Sequence, residues 1–97
     1  MSTANIKNVI DVIINIKDDK VLLEAFLTDL LTPVEYTEIK KRWEIIKMLD
    51  GGVNQHEIAK KLGVGIATVT RGSRELHDVN GGFRKVLNKI KKIDHPK

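Results

Sequence analysis

The residues with chemistry to offer lie in one short stretch, from Gln55 to Arg71. Ile58, Leu62, Val64 and Val69 fall where a helix-turn-helix buries its small core. Ala59 lies where the two helices cross, a place with room only for a small side chain. Gly63 stands at the turn, where a positive φ is easiest without a Cβ. The second helix of such a motif enters the major groove by its N-terminal end. That directs Gly65, Ile66, Ala67, Thr68 and Thr70 toward DNA. Ile66 and Ala67 fall on the face away from Val64 and Val69, where exposed methyls suit thymine methyls; for Ile66, a place in the core is the alternative. Thr68 and Thr70 have hydroxyls for bases, phosphates or bridging water. His56, Lys60 and Lys61, on the first helix, suit phosphate oxygens, contacts that fix register without reading sequence.

Catalysis finds no comparable set. His56, His77 and His95 lack metal-ligand spacing, and there is no cysteine and no glycine-rich phosphate loop. His77-Asp78 reads as a helix end. The chain is therefore expected to be no enzyme and to hold no metal.

The elements that must position these residues are all helical. The 97 residues suffice for one domain, and 41% hydrophobic against 31% charged residues is a globular balance. Four aromatics are too few for a stacking platform on single-stranded nucleic acid. No strand-like alternation of useful length occurs, so the expectation is an all-α fold of about six helices. A first helix runs from about Asn5 to Ile16 on a stripe of Ile6, Val9, Ile10, Ile13 and Ile14. A second starts after Asp18-Asp19. Thr32-Pro33-Val34-Glu35 fits a capping box that opens a third, ended near Asp50 by Gly51-Gly52. Asn54-Gln55-His56-Glu57 resembles a second capping box. The helix-turn-helix follows, then the turn Asn80-Gly81-Gly82, then a helix with Phe83, Val86, Leu87, Ile90 and Ile93 at helical spacing.

The net charge of +4 is unevenly placed. Residues 1–31 hold three basic and five acidic side chains, and residues 63–97 hold eight and three. A polyanion should meet the C-terminal third. The first two helices carry broad apolar stripes that so short a chain has little interior to hide, which points to a homodimer formed through them. The first twenty residues do not read as a secretion signal and no stretch is long enough to span a membrane, so the expected location is cytoplasmic.

Leu31-Thr32-Pro33, Arg42, the helix-turn-helix and above all Gly65-Ile66-Ala67-Thr68-Val69-Thr70-Arg71-Gly72-Ser73 resemble the Trp repressor family, over roughly Leu30 to Leu87. Asn80-Gly81-Gly82-Phe83 is closer to the Trp-repressor-related branch. The resemblance implies one domain: dimerisation helices over 1–31, a central helix over 32–52, a helix-turn-helix over 54–78 and a C-terminal helix over 81–93. It implies an intertwined dimer that represses transcription from a palindromic operator in double-stranded DNA, with L-tryptophan as a corepressor and no other cofactor. Arg42 and Arg71 match the two arginines that sandwich the indole. Thr32, Thr68 and Gly72 match positions beside the ligand, and the Leu31 carbonyl of the other subunit would receive the ammonium. Glu75 stands where the family has a serine near that ammonium, and the loop at Gly51-Gly52-Val53 is a residue shorter.

Each of these residues also has a plainer role open to it. Thr32 could only cap its helix, Arg42 could pair with Glu38, and Arg71 could pair with Glu75 or hold a phosphate. Glu75 could bind the ammonium strongly or occupy Arg71 and repel the ligand carboxylate. Two other functions fit the pattern: a ligand-independent helix-turn-helix module, and a helical adaptor that uses its apolar face for a protein partner.

Overall fold

The computed structural model describes residues 8–94. The expected helix start at Asn5, Ile6, His95 and the side chain of Ile93 lie outside the described residues. Among the described residues six helices follow one another: α1 Val9–Ile16, α2 Lys20–Leu30, α3 Pro33–Asp50, α4 Gln55–Leu62, α5 Ile66–His77 and α6 Gly82–Asp94. No strand occurs among the described residues. The fold is all-α.

Local chemistry sets the boundaries. Asn8 caps α1 by accepting from the Asp11 N–H, which places its first turn at Val9. Asp19 caps α2 in the same way through the Leu22 N–H. At α3 the capping box is reciprocal: Thr32 Oγ1 accepts from the Glu35 N–H at 3.1 Å, and Glu35 Oε1 accepts from the Thr32 N–H at 2.8 Å. That backbone hydrogen bond and the hydroxyl hold the Glu35 carboxyl below its ordinary pKa. Asn54 Oδ1 caps α4 by accepting from His56 and Glu57. Gly63 ends α4 with φ at +66°, the left-handed conformation expected of the turn.

The chain divides into two compact units, residues 1–38 and 39–97. In the first, α1 and α2 contain no buried residue. Val9, Ile10, Ile14, Val21, Leu22 and Leu30 all remain exposed. In the second, consecutive residues of α3 serve two clusters. Ile45 packs with Ile58 and Val69 of the helix-turn-helix, with Met48, Leu49, Val53, Ala59, Leu62 and Val64 around them. Ile46 packs with Leu76 and Leu87, joined by Trp43, Leu49 and Phe83. Successive helical residues point about 100° apart, so one turn of α3 serves both sides.

A polar tether adds to the second cluster. Asp50 Oδ2 lies 2.7 Å from Lys91 Nζ, and Oδ1 lies 3.2 Å from Arg84 Nη1. The Asp50 side chain is only 14% exposed, so these cations screen it where water does little. The Lys91 hydrogen bond, with its charge and that of Arg84, outweighs desolvation and holds the carboxyl below its ordinary pKa. A lowered folded pKa gives stability that is present above the unfolded value, near pH ~4, and is lost as pH falls through the folded one. Asp50→Asn is expected to cost about 1–2 kcal/mol at pH 7 and much less at pH 3. Urea unfolding of both proteins at the two pH values checks this; a penalty independent of pH would separate it from the ion pairs.

Candidate functional site

The helix-turn-helix assembles as its sequence pattern requires. Ile58 and Val69 are fully buried, and Leu62 and Val64 pack against them. Ala59 is half-buried at the crossing. With Val69 turned inward, the residues around it on α5 face out: Ile66, Ala67, Thr68 and Thr70 are all exposed. Ile66, at 41% exposure, is a surface residue and not part of the core. Gly65 supplies the N-cap backbone without a side-chain hydrogen bond, which leaves this end of α5 open. The Thr70 hydroxyl donates to Gln55 Oε1 at 2.9 Å, so its proton ties the two helices together while its oxygen can still accept.

On α4, His56, Lys60 and Lys61 are exposed. Both lysines stand in the last turn, where a cation complements the helix dipole. Neither forms an ion pair among the described residues. His77 ends α5, its Nδ1 2.6 Å from the Ser73 carbonyl oxygen, and Asp78 is the cap residue.

A cavity of about 180 Å³ lies among α3, α5 and the start of α6. Its walls are Arg42, Thr68, Arg71, Gly72 and Glu75, five residues singled out from sequence, together with Ile45, Ile46 and Phe83. The volume is of the order of a cavity that holds one aromatic ring, ~150 Å³ in an apolar core. The apolar side was not singled out from sequence, although a signal existed. Arg42, Ile45 and Ile46 stand at i, i+3 and i+4, which puts them on one face of α3. Phe83 also packs toward Trp43, with ring centroids 6.5 Å apart.

Four of the residues matched to the ligand also have a place or contact of their own within the chain. Leu31 and Thr32 belong to the first unit, where Thr32 serves as a cap. Gly72 sits where α5 packs closely on α3. A Cβ there would meet Ile45 Cγ2 at 3.2 Å and Ile46 Cδ1 at 3.4 Å, so its lack of a side chain lets α5 approach α3. Arg71 Nε lies 3.0 Å from Glu75 Oε1, the i,i+4 pair foreseen as one alternative.

A helix-turn-helix with its outward face open, beside a small cavity walled by two arginines, is an arrangement that suits a transcription regulator. The comparisons with known proteins agree and are more specific. The family profile described as Trp repressor protein matches residues 4–91. The chain belongs to the Trp repressor family, a family of regulators and not of enzymes. It is 40% identical over 75 residues to a "Trp operon repressor homolog" of Chlamydia trachomatis serovar D, covering 72% of this chain and 80% of that one. It is 48% identical over 54 residues to a protein of the same description from Vibrio campbellii, covering 55% of this chain and 54% of the other. A Vibrio vulnificus relative, again so described, is 40% identical over 68 residues, 69% of this chain and 67% of its own. No solved structure matches closely. No helix among the described residues is long and apolar enough to cross a membrane.

Proposed function

We propose that this repressor acts as a homodimer on a palindromic operator in double-stranded DNA, with L-tryptophan as its corepressor. Residues 1–31 dimerise, 32–52 form the central helix, 54–78 bind DNA and 81–93 complete a single domain. The cytoplasm is where such a protein works.

One observation carries the reading: α5 has two jobs on one rigid rod. Its first turn and about a half, from Ile66 to Thr70, exposes Ile66, Ala67, Thr68 and Thr70. Its next turn, through Arg71, Gly72 and Glu75, walls the cavity, and Thr68 belongs to both sets. A ligand filling the cavity therefore bears on the helix that reads bases. Affinity for the ligand then biases where that helix sits, which is all that a corepressor requires. Guanidinium planes stack on an aromatic face and grip a carboxylate, which suits Arg42 and Arg71 to an aromatic amino acid. The homodimer is supported by the exposed apolar side chains of α1 and α2, Val9, Ile10, Ile14, Val21, Leu22 and Leu30.

The test is a duplex selected from a random pool, titrated with the protein in the presence and absence of L-tryptophan. The expected result is a palindromic site bound about 5–150-fold more tightly with L-tryptophan. Binding that ignores L-tryptophan would remove the corepressor and leave a ligand-independent module. A monomer by light scattering, with no preferred duplex, would favour the adaptor.

A further inference from the structure

We infer that Glu75 is the residue that sets ligand specificity in the α3–α5 cavity: with Arg71 it forms a dipolar bracket that reads an α-ammonium and an α-carboxylate together, and it rejects aromatic acids that lack the ammonium. The inference rests on the proposal that this cavity holds an amino acid, and it names the feature of the amino acid that is read.

The bracket is already in place. Arg71 and Glu75 wall the same cavity and are joined only through Nε and Oε1, at 3.0 Å. The terminal N–H groups of the guanidinium and Glu75 Oε2 carry no hydrogen bond among the described residues. A guanidinium presents those terminal groups as a fork that fits a carboxylate, and a carboxylate oxygen accepts from an ammonium. An α-amino acid carries both groups on one carbon, so it can answer Arg71 and Glu75 side by side.

The charges around the cavity decide among ligand classes. Two guanidiniums, Arg42 and Arg71, and one carboxylate, Glu75, wall it. An aromatic acid without an ammonium sets its carboxylate on Arg71 beside Glu75 and brings no cation of its own to answer Glu75. An aromatic amine without a carboxylate brings a cation to two arginines. A zwitterion avoids both repulsions. Ile45 and Ile46, at 2% and 1% exposure, with Phe83, give the rest of the ligand an apolar surface. The Arg71 and Glu75 side chains are 69% and 46% exposed, and a pair so exposed is weak, so a ligand reshapes it at little cost.

Calorimetric titration of the full-length protein with L-tryptophan, indole-3-propionate and tryptamine tests this, repeated on Glu75→Gln and Glu75→Ser. The Glu75 side chain is 46% exposed, so both variants are expected to fold, which far-UV circular dichroism checks. The wild-type protein is expected to bind L-tryptophan at least about tenfold more tightly than indole-3-propionate, a preference that both variants lose. An unchanged preference in the variants, or tighter L-tryptophan binding once Glu75 is gone, would overturn the role of Glu75 while leaving an amino-acid site. Binding of none of the three by the wild-type protein would overturn the site together with the inference.

Discussion

Ile58→Ala is expected to destabilise the protein by about 2–5 kcal/mol, the largest loss from any single truncation considered for this fold. Ile58 is 0% exposed and sits with Ile45 and Val69 where α3, α4 and α5 meet. Removing its outer carbons forfeits their burial. It also leaves a void that the flanking β-branched side chains, with few rotamers to choose from, fill poorly. A domain of this size has about 5–15 kcal/mol in total, so the loss is a large fraction of the whole. At about 4–8 °C per kcal/mol, the melting temperature falls by at least ~10 °C. Ile66→Ala is the matched control. It removes the same atoms from a side chain that is 41% exposed, and its effect should stay within about 0.5 kcal/mol. Urea unfolding of the three proteins at one protein concentration checks the pair. Equal losses would put Ile66 in the core and take it off the recognition face.

That contrast also marks how far the fold could be read in advance. Helix ends were legible because their causes are local: the Thr32–Glu35 box, Asp19 before α2 and Gly63 after α4 each act within a turn of chain. The helix-turn-helix was legible because its spacing is strict, and Ile58 and Val69 are buried where that spacing put them. The cavity was half legible. Its charged and small residues followed from the family resemblance, whereas Ile45 and Ile46 did not stand out. Their i+3 and i+4 spacing from Arg42 is a signal only once Arg42 is placed, because a helix packed on two sides has no single apolar stripe to mark that face by itself. Gly72 shows a further limit. A glycine beside a pocket and a glycine at a helix crossing look alike in sequence, and only the distance to Ile45 tells them apart. The Asp50–Arg84 bond joins residues 34 apart, and no local rule reaches that far.

Replacing Lys60 and Lys61 together with alanine is expected to flatten the salt dependence of DNA binding and to weaken every duplex alike. Each phosphate contact contributes about 0.9 to the slope of log affinity against log salt, through the counterions it releases. Two lysines in each protomer of the proposed dimer make up to four contacts, so the slope should fall by about 2–4. Affinity at low salt should drop by at least about tenfold, because the electrostatic part is largest there. The fold should survive. Both side chains are exposed, without an ion pair among the described residues, and each gives the last turn of α4 only about 0.3–1 kcal/mol through the helix dipole. The informative quantity is the ratio of affinities for the selected palindrome and a scrambled duplex. Phosphate contacts carry no sequence information, so that ratio should hold in the double variant. Thr68→Ala, on the exposed face of α5, should instead lower the ratio with little change in slope. If the ratio collapses with the lysines, they reach base edges and the helix-turn-helix sits deeper in the groove than its usual docking. If the slope does not move, α4 stands clear of the backbone and the phosphate contacts must come from α5 or α6, where the chain keeps the rest of its basic excess.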